Sequence, residues 1–302
     1  MTNKDYTIGI VGGGAVGLTY AALLSEVANI IVKTRGSEQA ALINEQGIAI
    51  TKQDGESVNF KGIEASDAYS PLAQCDAIVI AVKSYDTEEV ARELNKVIKP
   101  KAVVVTLQNG LHAFEVLQKQ LDEPERIFAG VTYMYASRDD GRSVMSGDYP
   151  RVVVDVKIGF LIDMLRRCHF QVEAVTNSRQ AVWDKLAINV GQNALSAVTN
   201  LNLGHMLASE DCLMIAGNLL TEVRCVGEVE GVIVDNFLVD RLRDLWEGSD
   251  FFPSMWQDIH RGRRTEIDAI NGSISELGRK HGIATPYNDM ITSLIKALES
   301  NS

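Results

Sequence analysis

The stretch Tyr6-Thr-Ile-Gly-Ile-Val-Gly-Gly-Gly-Ala-Val-Gly-Leu18 decides the fold of the first half of this 302-residue chain. Its first six residues favour a short buried strand, and residues 18–24 favour a helix. The glycines between them form a GxGxxG motif in the order strand, tight turn and helix, which a dinucleotide-binding loop requires. A glycine-rich turn without a ligand is the alternative, but the strand and the helix around the motif favour dinucleotide binding.

Each glycine of the motif has a physical role if a dinucleotide binds. Gly12 allows the tight turn, Gly14 lets a pyrophosphate approach the backbone, and Gly17 lets the helix pack against the strand. The N-terminus of the helix offers N–H groups and the positive end of its dipole to a phosphate. The predicted phosphate-binding residues are Gly12, Gly13, Gly14, Ala15, Val16 and Gly17.

The end of the second predicted strand, residues 29–32, decides between the two nicotinamide dinucleotides. NAD sites usually carry a carboxylate there, but this chain has Lys33-Thr-Arg35-Gly. Arg35 can pair with a 2′-phosphate through two charge-assisted hydrogen bonds, and Lys33 adds positive potential. We therefore expect NADP(H) as the cofactor, and a solvated pair of surface charges is the alternative.

Two further polar groups follow the strands that we predict at residues 77–82 and 102–107. Lys83 comes directly after the first strand, and Asn109 comes two residues after the second. Ligands of open α/β sheets bind at the carboxyl ends of the strands. Asn109-Gly110 is also a strong turn pair, which is the structural alternative. We place Lys83 and Asn109 in the cofactor site.

Alternating strand and helix patterns end near residue 176. Strands are predicted at 127–136 and 151–156, joined by a polar turn through Asp139-Asp140-Gly141, before a helix at 159–168 and a strand at 170–175. Helical patterns then cover 177–198, 209–231, 235–246, 254–280 and 286–299. The sequence therefore predicts an α/β N-terminal Rossmann-type dinucleotide-binding domain, residues 1–176, followed by an all-α C-terminal domain, residues 177–302.

Charge and cysteine usage exclude several classes of function. The net charge of -11 argues against nucleic-acid and anionic-membrane binding, which need a basic face. The four cysteines have no CxxC or metal-ligand spacing, so we expect free thiols, no metal and a cytoplasmic protein. The uncharged run at residues 8–24 contains five glycines and is too short to span a membrane.

The stretch from Trp183 to Asn193 carries a polar stripe in apolar surroundings. Lys185, Asn189 and Asn193 are four residues apart and share one face of a helix. An ammonium group and two amides beside buried apolar side chains need polar partners. Another helix, solvent or a small polar substrate can supply them.

The stretch from Pro253 to Gly272 carries a second group of candidate residues. Ser254 and Gln257 match a capping box, although a capping hydroxyl can also face a ligand. Glu266 lies in a charged helical run and taken alone is a solvated helix carboxylate. Further on, Thr285-Pro286 predicts the start of the last helix.

Together these stretches resemble the ketopantoate reductase (2-dehydropantoate 2-reductase) family over nearly the whole chain. The motifs that carry the resemblance are Gly12 to Gly17, Lys83-Ser84, Asn109-Gly110, Trp183-x-Lys185 with Asn189 and Asn193, Ser254-Met-x-x-Asp258, and Thr265-Glu-Ile-Asp268 with Asn271-Gly272. The resemblance implies an active site in a cleft between the two domains. It also implies NADPH-dependent reduction of a small 2-oxo acid, ketopantoate, to D-pantoate in pantothenate biosynthesis. The helical domain offers surfaces for a second copy, and we expect a homodimer.

The resemblance also implies roles for individual residues. Lys185 is similar to the family's general acid, which protonates the ketone oxygen, and Glu266 to the carboxylate that holds the lysine. Asn109 is placed between nicotinamide and substrate, and Ser254 is placed on the substrate carboxylate. The substrate-binding residues implied in this way are Asn109, Lys185, Asn189, Asn193, Ser254 and Glu266.

Two departures from the family pattern keep a second function open. Phe251-Phe-Pro253 and Leu203 stand where many members carry amides, and losing polar contacts favours a more hydrophobic 2-oxo acid. The form of Pro253 to Asp258, together with Thr285-Pro-Tyr-Asn288, is similar to relatives that act as D-2-hydroxyacid dehydrogenases, including D-mandelate dehydrogenases. Those relatives tend to carry an acidic residue after the second strand and to prefer NADH, whereas this chain has Arg35.

A cofactor-binding regulator without catalysis is a third possibility. It predicts decay of the catalytic groups, but Lys185, Glu266 and Asn109 are all present.

Overall fold

The computed structural model describes residues 4–52, 55–139 and 142–300. The chain divides into two compact units. The first comprises Met1–Gln108 and Ala113–Ser178, and the second comprises Asn109–His112 and Arg179–Ser302. The short segment 109–112 therefore groups with the second unit, although it follows a strand of the first.

A six-stranded parallel sheet forms the centre of the first unit. Its strands are β1 (Thr7–Val11), β2 (Asn29–Lys33), β5 (Glu64–Ser66), β6 (Ala77–Ile80), β7 (Val103–Thr106) and β8 (Ile127–Ala129). They lie in the order β5-β2-β1-β6-β7-β8, and every neighbouring pair is parallel. This is the order of a Rossmann sheet, and the direction of strand succession reverses between β1 and β6. The predicted fold class of this half is confirmed.

Apolar side chains cover both faces of this sheet, because successive residues of a strand point to opposite sides. Ile8 and Ile10 belong to one buried cluster and Val11 to another. The helices of the first unit are α1 (Ala15–Leu24), α2 (Ser37–Gln46), α3 (Thr87–Asn95), α4 (His112–Gln120) and α5 (Gly159–Arg167). Burial on both faces explains why these strands are continuous apolar runs.

A second sheet in the same unit was not predicted as such. It contains β3 (Ile48–Thr51), β4 (Ser57–Phe60), β9 (Val131–Asp139), β10 (Arg142–Asp155) and β11 (Gln171–Val175). Strand β10 pairs with β9, β3 and β11, and α1 packs against it. The strand predicted at 127–136 is thus divided between two sheets, and Asp140 and Gly141 of the predicted turn lie outside the described residues.

The second unit is helical in its described part, which confirms the predicted all-α half. Its helices are α6 (Arg179–Thr199), α7 (Leu203–Ala208), α8 (Glu210–Val229), α9 (Leu238–Trp246), α10 (Ser254–His260), α11 (Asn271–His281) and α12 (Pro286–Glu299). One apolar cluster that includes Trp183 and Leu220 holds them together. Among residues 4–52, 55–139 and 142–300, no helix has the length and apolar composition to cross a membrane.

The helix predicted at 254–280 is wrong, because the chain breaks it into three pieces. Helix α10 ends at His260, a 3-10 turn covers Ile267–Ala269, and α11 begins at Asn271. The predicted capping box is wrong as well, because Pro253 is the N-cap and Ser254 is already the first helical residue. Thr285 is the N-cap of α12 with Pro286 as its first residue, as predicted.

Candidate active site

The glycine-rich loop adopts a backbone that other residues cannot adopt without strain. Gly12 has a φ of 128°, and a Cβ atom there would lie 2.8 Å from the carbonyl carbon of Ala81. Its N–H donates to the carbonyl oxygen of Lys33 at 3.0 Å. A Cβ atom at Gly17 would overlap the carbonyl oxygen of Gly12. The turn and the packing of α1 on the sheet therefore both depend on glycine.

The space in front of α1 suits a pyrophosphate. Gly14 is the exposed N-cap of this helix, no side chain caps it, and no atom lies within 4 Å of the position of a Cβ atom. Ala15 and Val16 form the first turn, which carries no acidic residue. Backbone N–H groups and the positive end of the helix dipole favour an anion at such a place. The residues present therefore fit the phosphates of a dinucleotide.

Two side chains that the sequence did not single out hold this loop. The carbonyl oxygen of Gly13 accepts hydrogen bonds from Nε2 of Gln39 at 2.7 Å and from Nη1 of Arg138 at 2.6 Å. Gln39 belongs to α2 and Arg138 to β9, so only the folded chain brings them to the loop.

The basic residues after β2 have partners of their own. Arg35, whose side chain is 80% exposed, forms an ion pair with Asp86 at 2.5 Å. Lys33 donates to the carbonyl oxygen of Thr34 at 2.7 Å and lies 4.6 Å from the ring centre of Tyr69. Burial lowers the pKa of Lys33 below its ordinary value. The structure thus places a carboxylate beside Arg35, although none follows the strand in sequence.

Lys83 follows the end of β6 by three residues and is the N-cap of a 3-10 turn. The side chain of Gln108 crosses from the end of β7 to this turn. Its Nε2 lies 3.3 Å from the carbonyl oxygen of Lys83 and 2.8 Å from Oγ1 of Thr87. Gln108 therefore joins the carboxyl ends of two strands, and this role was not predicted from the sequence.

In the second unit, three of the predicted polar residues meet. Nδ2 of Asn109 donates to Oε2 of Glu266 at 3.2 Å, and Oδ1 of Asn109 lies 3.4 Å from Nδ2 of Asn189. Asn189 and Glu266 are buried. The sequence interpretation of Glu266 alone as a solvated helix carboxylate is wrong, because it lies just before the 3-10 turn at Ile267–Ala269.

Helix α6 carries the polar stripe. Lys185 precedes Asn189 by four residues, and the buried Asn193 follows by four more. Desolvation by the surrounding protein lowers the pKa of Lys185 to about 8. An amine with such a pKa is ammonium at neutral pH and yet gives up its proton readily.

A buried polar network supports this region of the second unit. The carboxylate of Glu222 on α8 accepts hydrogen bonds from the backbone N–H groups of Tyr287 and Asn288 at 2.8 and 2.9 Å. It also accepts one from Nδ2 of Asn288 at 2.7 Å, while Oδ1 of Asn288 accepts one from Nδ2 of Asn271 at 3.0 Å. Asn271 and Asn288, which belong to the motifs of the family resemblance, therefore have a structural role in this network.

The comparison with family models decides the family. The model described as ketopantoate reductase PanE/ApbA matches residues 8–156, and its C-terminal counterpart matches residues 177–299. The chain belongs to the ketopantoate reductase family. The resemblance drawn from the motifs is thereby confirmed.

Relatives of this ketopantoate reductase family member span nearly its whole length. The 2-dehydropantoate 2-reductase of Halobacterium salinarum is 28% identical over 95% of this chain and 97% of its own. That of Listeria innocua is 29% identical over 98% of both chains. The crystal structure of a PanE/ApbA family ketopantoate reductase from Ralstonia eutropha has a TM-score of 0.90 at 27% identity, covering 98% of this chain and 99% of its own. A structure of D-mandelate dehydrogenase with NADH and anilino(oxo)acetate shares the fold, with a TM-score of 0.89 at 24% identity over 98% of both chains.

The positions where this family member departs from the common pattern lie in the second unit. Phe251 is half-buried and stacks on Trp246 with ring centres 5.3 Å apart. The indole N–H of Trp246 donates to Oε1 of Gln192 on α6 at 3.1 Å, beside Asn193. Leu203 is fully buried at the start of α7. Ser254 is exposed on α10, a helix that packs against α6.

Proposed function

We propose that this chain catalyses the NADPH-dependent reduction of 2-dehydropantoate (ketopantoate) to D-pantoate, a step of pantothenate biosynthesis. The observation that carries the proposal is Lys185, an amine with a pKa lowered to about 8 on the helix that also presents Asn189 and Asn193. The names of the relatives support the same substrate. The glycine-rich loop before α1 supports a dinucleotide cofactor.

Lys185 is the proposed proton donor. When NADPH is bound, its nicotinamide supplies a hydride to the carbonyl carbon of the substrate. The ammonium group of Lys185 stabilises the negative charge that develops on the carbonyl oxygen and then transfers its proton to that oxygen. The lowered pKa suits this role, because the amine is charged before the reaction and is a weak enough base to release the proton.

The amides and the carboxylate orient the substrate in this proposal. The hydrogen bond between Asn109 and Glu266 fixes the side chain of Asn109, and Asn109 lies against Asn189 in turn. Asn189 and Asn193 then hydrogen-bond the polar groups of the substrate, and Ser254 binds its carboxylate. Buried amides reject a substrate that leaves them unpaired, which gives the site its selectivity.

Preference for NADPH over NADH is the proposed role of Arg35. Arg35 lies two residues after the end of β2, where a 2′-phosphate would lie, and Lys33, the last residue of the strand, adds positive charge. In the ion pair between Arg35 and Asp86, the side chain of Arg35 is exposed to solvent. Exposed ion pairs contribute little to stability. A 2′-phosphate can therefore take the place of Asp86 at low cost.

A D-2-hydroxyacid dehydrogenase acting on a bulkier apolar 2-oxo acid is the second candidate. The observation in its favour is the stacked pair of Trp246 and Phe251. The indole N–H of Trp246 donates a hydrogen bond to Gln192 on α6, the residue before Asn193. Apolar surface in place of an amide favours a hydrophobic substrate. A homodimer also belongs to the proposal, and light scattering of the purified protein tests it.

Steady-state kinetics separate the candidates. With NADPH and the purified protein, we compare kcat/KM for ketopantoate, phenylglyoxylate and 2-oxoisocaproate. The proposed function predicts the highest value for ketopantoate. If ketopantoate is the poorest of the three, the dehydrogenase with an apolar substrate is correct, and no turnover of any of them indicates a protein without this catalysis. Phe251→Asn serves as the matched variant, because it restores an amide and is expected to shift selectivity toward ketopantoate.

A further inference from the structure

Arg138 lies at the glycine-rich loop without any role in the function described so far. It belongs to β9 of the second sheet, where it pairs with Ser143 of β10, and its side chain is half-buried. Its Nη1 donates to the carbonyl oxygen of Gly13 at 2.6 Å. Gly13 immediately precedes Gly14, the open N-cap of α1.

The carbonyl oxygen of Gly13 does not need a charged donor to be hydrogen-bonded. The neutral amide of Gln39 already donates to the same oxygen at 2.7 Å. What Arg138 adds is a permanent cation one residue away from the helix N-terminus, because a guanidinium group does not lose its proton in proteins. The first turn of α1 itself carries no acidic residue. The helix dipole and Arg138 therefore favour an anion at the same place.

The charge balance of the chain makes such a local cation important. The net charge is -11, so the protein as a whole repels a dinucleotide that carries several phosphates. Lys33 and Arg35 stand at the end of β2, on the side where a 2′-phosphate is expected. Among the cationic side chains described here, that of Arg138 donates a hydrogen bond to the glycine-rich loop itself.

We propose that Arg138 is a cofactor-binding residue whose charge neutralises the pyrophosphate of the bound dinucleotide. The inference rests on the proposed function in that it takes a nicotinamide dinucleotide as the ligand. It differs from the role of Arg35, because the pyrophosphate is common to NADPH and NADH while the 2′-phosphate belongs to NADPH alone. Arg138 thus strengthens binding of both dinucleotides without choosing between them.

The experiment measures dissociation constants of NADPH, NADH and 2′-AMP by titration calorimetry. The variants are Arg138→Met, which removes the charge, Arg138→Lys, which keeps it, and Gln39→Met, which removes the neutral donor to the same carbonyl oxygen. Thermal unfolding of each variant checks that it is folded. 2′-AMP is the probe without a pyrophosphate.

We expect Arg138→Met to raise the dissociation constants of NADPH and NADH by the same factor, about tenfold or more. This is the usual effect of losing a charge-assisted contact. The affinity for 2′-AMP stays unchanged, Arg138→Lys recovers most of the loss, and Gln39→Met loses less than Arg138→Met. Equal losses in Arg138→Met and Gln39→Met overturn the inference, because the arginine then only shapes the loop. A loss confined to NADPH, or a loss that includes 2′-AMP, overturns it too. If the unmodified protein binds neither dinucleotide, the proposed function itself fails, and the inference fails with it.

Discussion

At Lys185, desolvation is the cause of a pKa near 8, against 10.5 for an ordinary lysine. The residue lies on α6, where the two residues that follow it, Leu186 and Ala187, are buried. Removing water disfavours the charged amine, so the proton is held less tightly. The same burial that makes the residue costly for folding makes it a better acid at neutral pH.

We expect the pH dependence of ketopantoate reduction to show the ionisation of the Lys185 amine. A general acid acts only when protonated, so kcat/KM stays level below pH 8 and falls in proportion to proton concentration above it. Lys185→Ala should lower kcat by a factor on the order of 10² or more and abolish the fall. The matched control is Lys157→Ala at an exposed lysine, which should leave both rate and profile unchanged. A fall above pH 8 that persists in Lys185→Ala assigns the ionisation to another group.

Arg35 shows how a residue's environment can qualify an argument from sequence. No carboxylate follows β2 in the chain, yet Asp86 lies 2.5 Å from the guanidinium group. Asp86 comes from the turn after β6, more than fifty residues away, so only the parallel pairing of β1 with β2 and β6 brings it close. A carboxylate at this place can compete with a 2′-phosphate for the arginine.

Cofactor selectivity should change in opposite directions when each member of this pair is altered. Arg35→Ala removes the partner of the 2′-phosphate, so the KM for NADPH should rise about tenfold or more, while the KM for NADH changes little. Asp86→Asn removes the competing carboxylate and should lower the KM for NADPH. Initial-rate kinetics with both cofactors measure this. Similar changes for NADPH and NADH in Arg35→Ala would show that the residue does not contact the 2′-phosphate.

Among the helices, α12 depends on a carboxylate from another element. Its N-cap, Thr285, makes no side-chain capping bond. The carboxylate of Glu222 on α8 instead accepts hydrogen bonds from the backbone N–H groups of Tyr287 and Asn288. A carboxylate at a helix N-terminus also interacts favourably with the dipole. Glu222 thereby fixes α12 to α8 and, through Asn288, positions Asn271 at the start of α11.

Loss of this cap should destabilise the fold more than it affects the chemistry. Glu222→Ala leaves several buried donors without an acceptor, which costs about 2–4 kcal/mol of unfolding free energy for a small group of such bonds. The control is Glu228→Ala, an exposed glutamate on the same helix, where the change stays within about 0.5 kcal/mol. Urea unfolding followed by circular dichroism measures both. Equal stability of the two variants would show that α12 is held by its apolar face alone.

Local sequence patterns predicted the elements whose contacts are local. The strand, glycine turn and helix of residues 6–24 follow from periodicity and glycine positions. The break after α10 was not predicted, although a glycine at position 262 is typical of a helix end. Gly262 has a φ of 59°, in the left-handed region that favours glycine. The N–H of Arg263 donates to the carbonyl oxygen of Asp258 and that of Gly262 to Ile259, which is a Schellman ending. The second sheet as a whole could not be predicted, because β10 also pairs with β3, which is distant in sequence.

Across the whole molecule, two electrostatic effects on cofactor binding oppose each other. The net charge of -11 repels an anionic dinucleotide over long distances, whereas Arg35, Lys33 and Arg138 attract it locally. The range of the first effect is set by the Debye length, about 30 Å at 0.01 M salt and about 10 Å at 0.1 M. Above 0.1 M the distant charges are already screened, so the local cations dominate.

We therefore expect the affinity for NADPH to fall as ionic strength rises from about 0.1 M to about 1 M, where the Debye length is about 3 Å. The dependence should be weaker for NADH, which lacks the 2′-phosphate, and weaker still in the double variant Arg35→Ala/Arg138→Met. Titration calorimetry at four salt concentrations gives the slopes, with sodium chloride throughout so that the anion stays the same. If the affinity of the unmodified protein instead rises over this range, repulsion by the net charge governs binding. In that case the local cations contribute less than their positions imply.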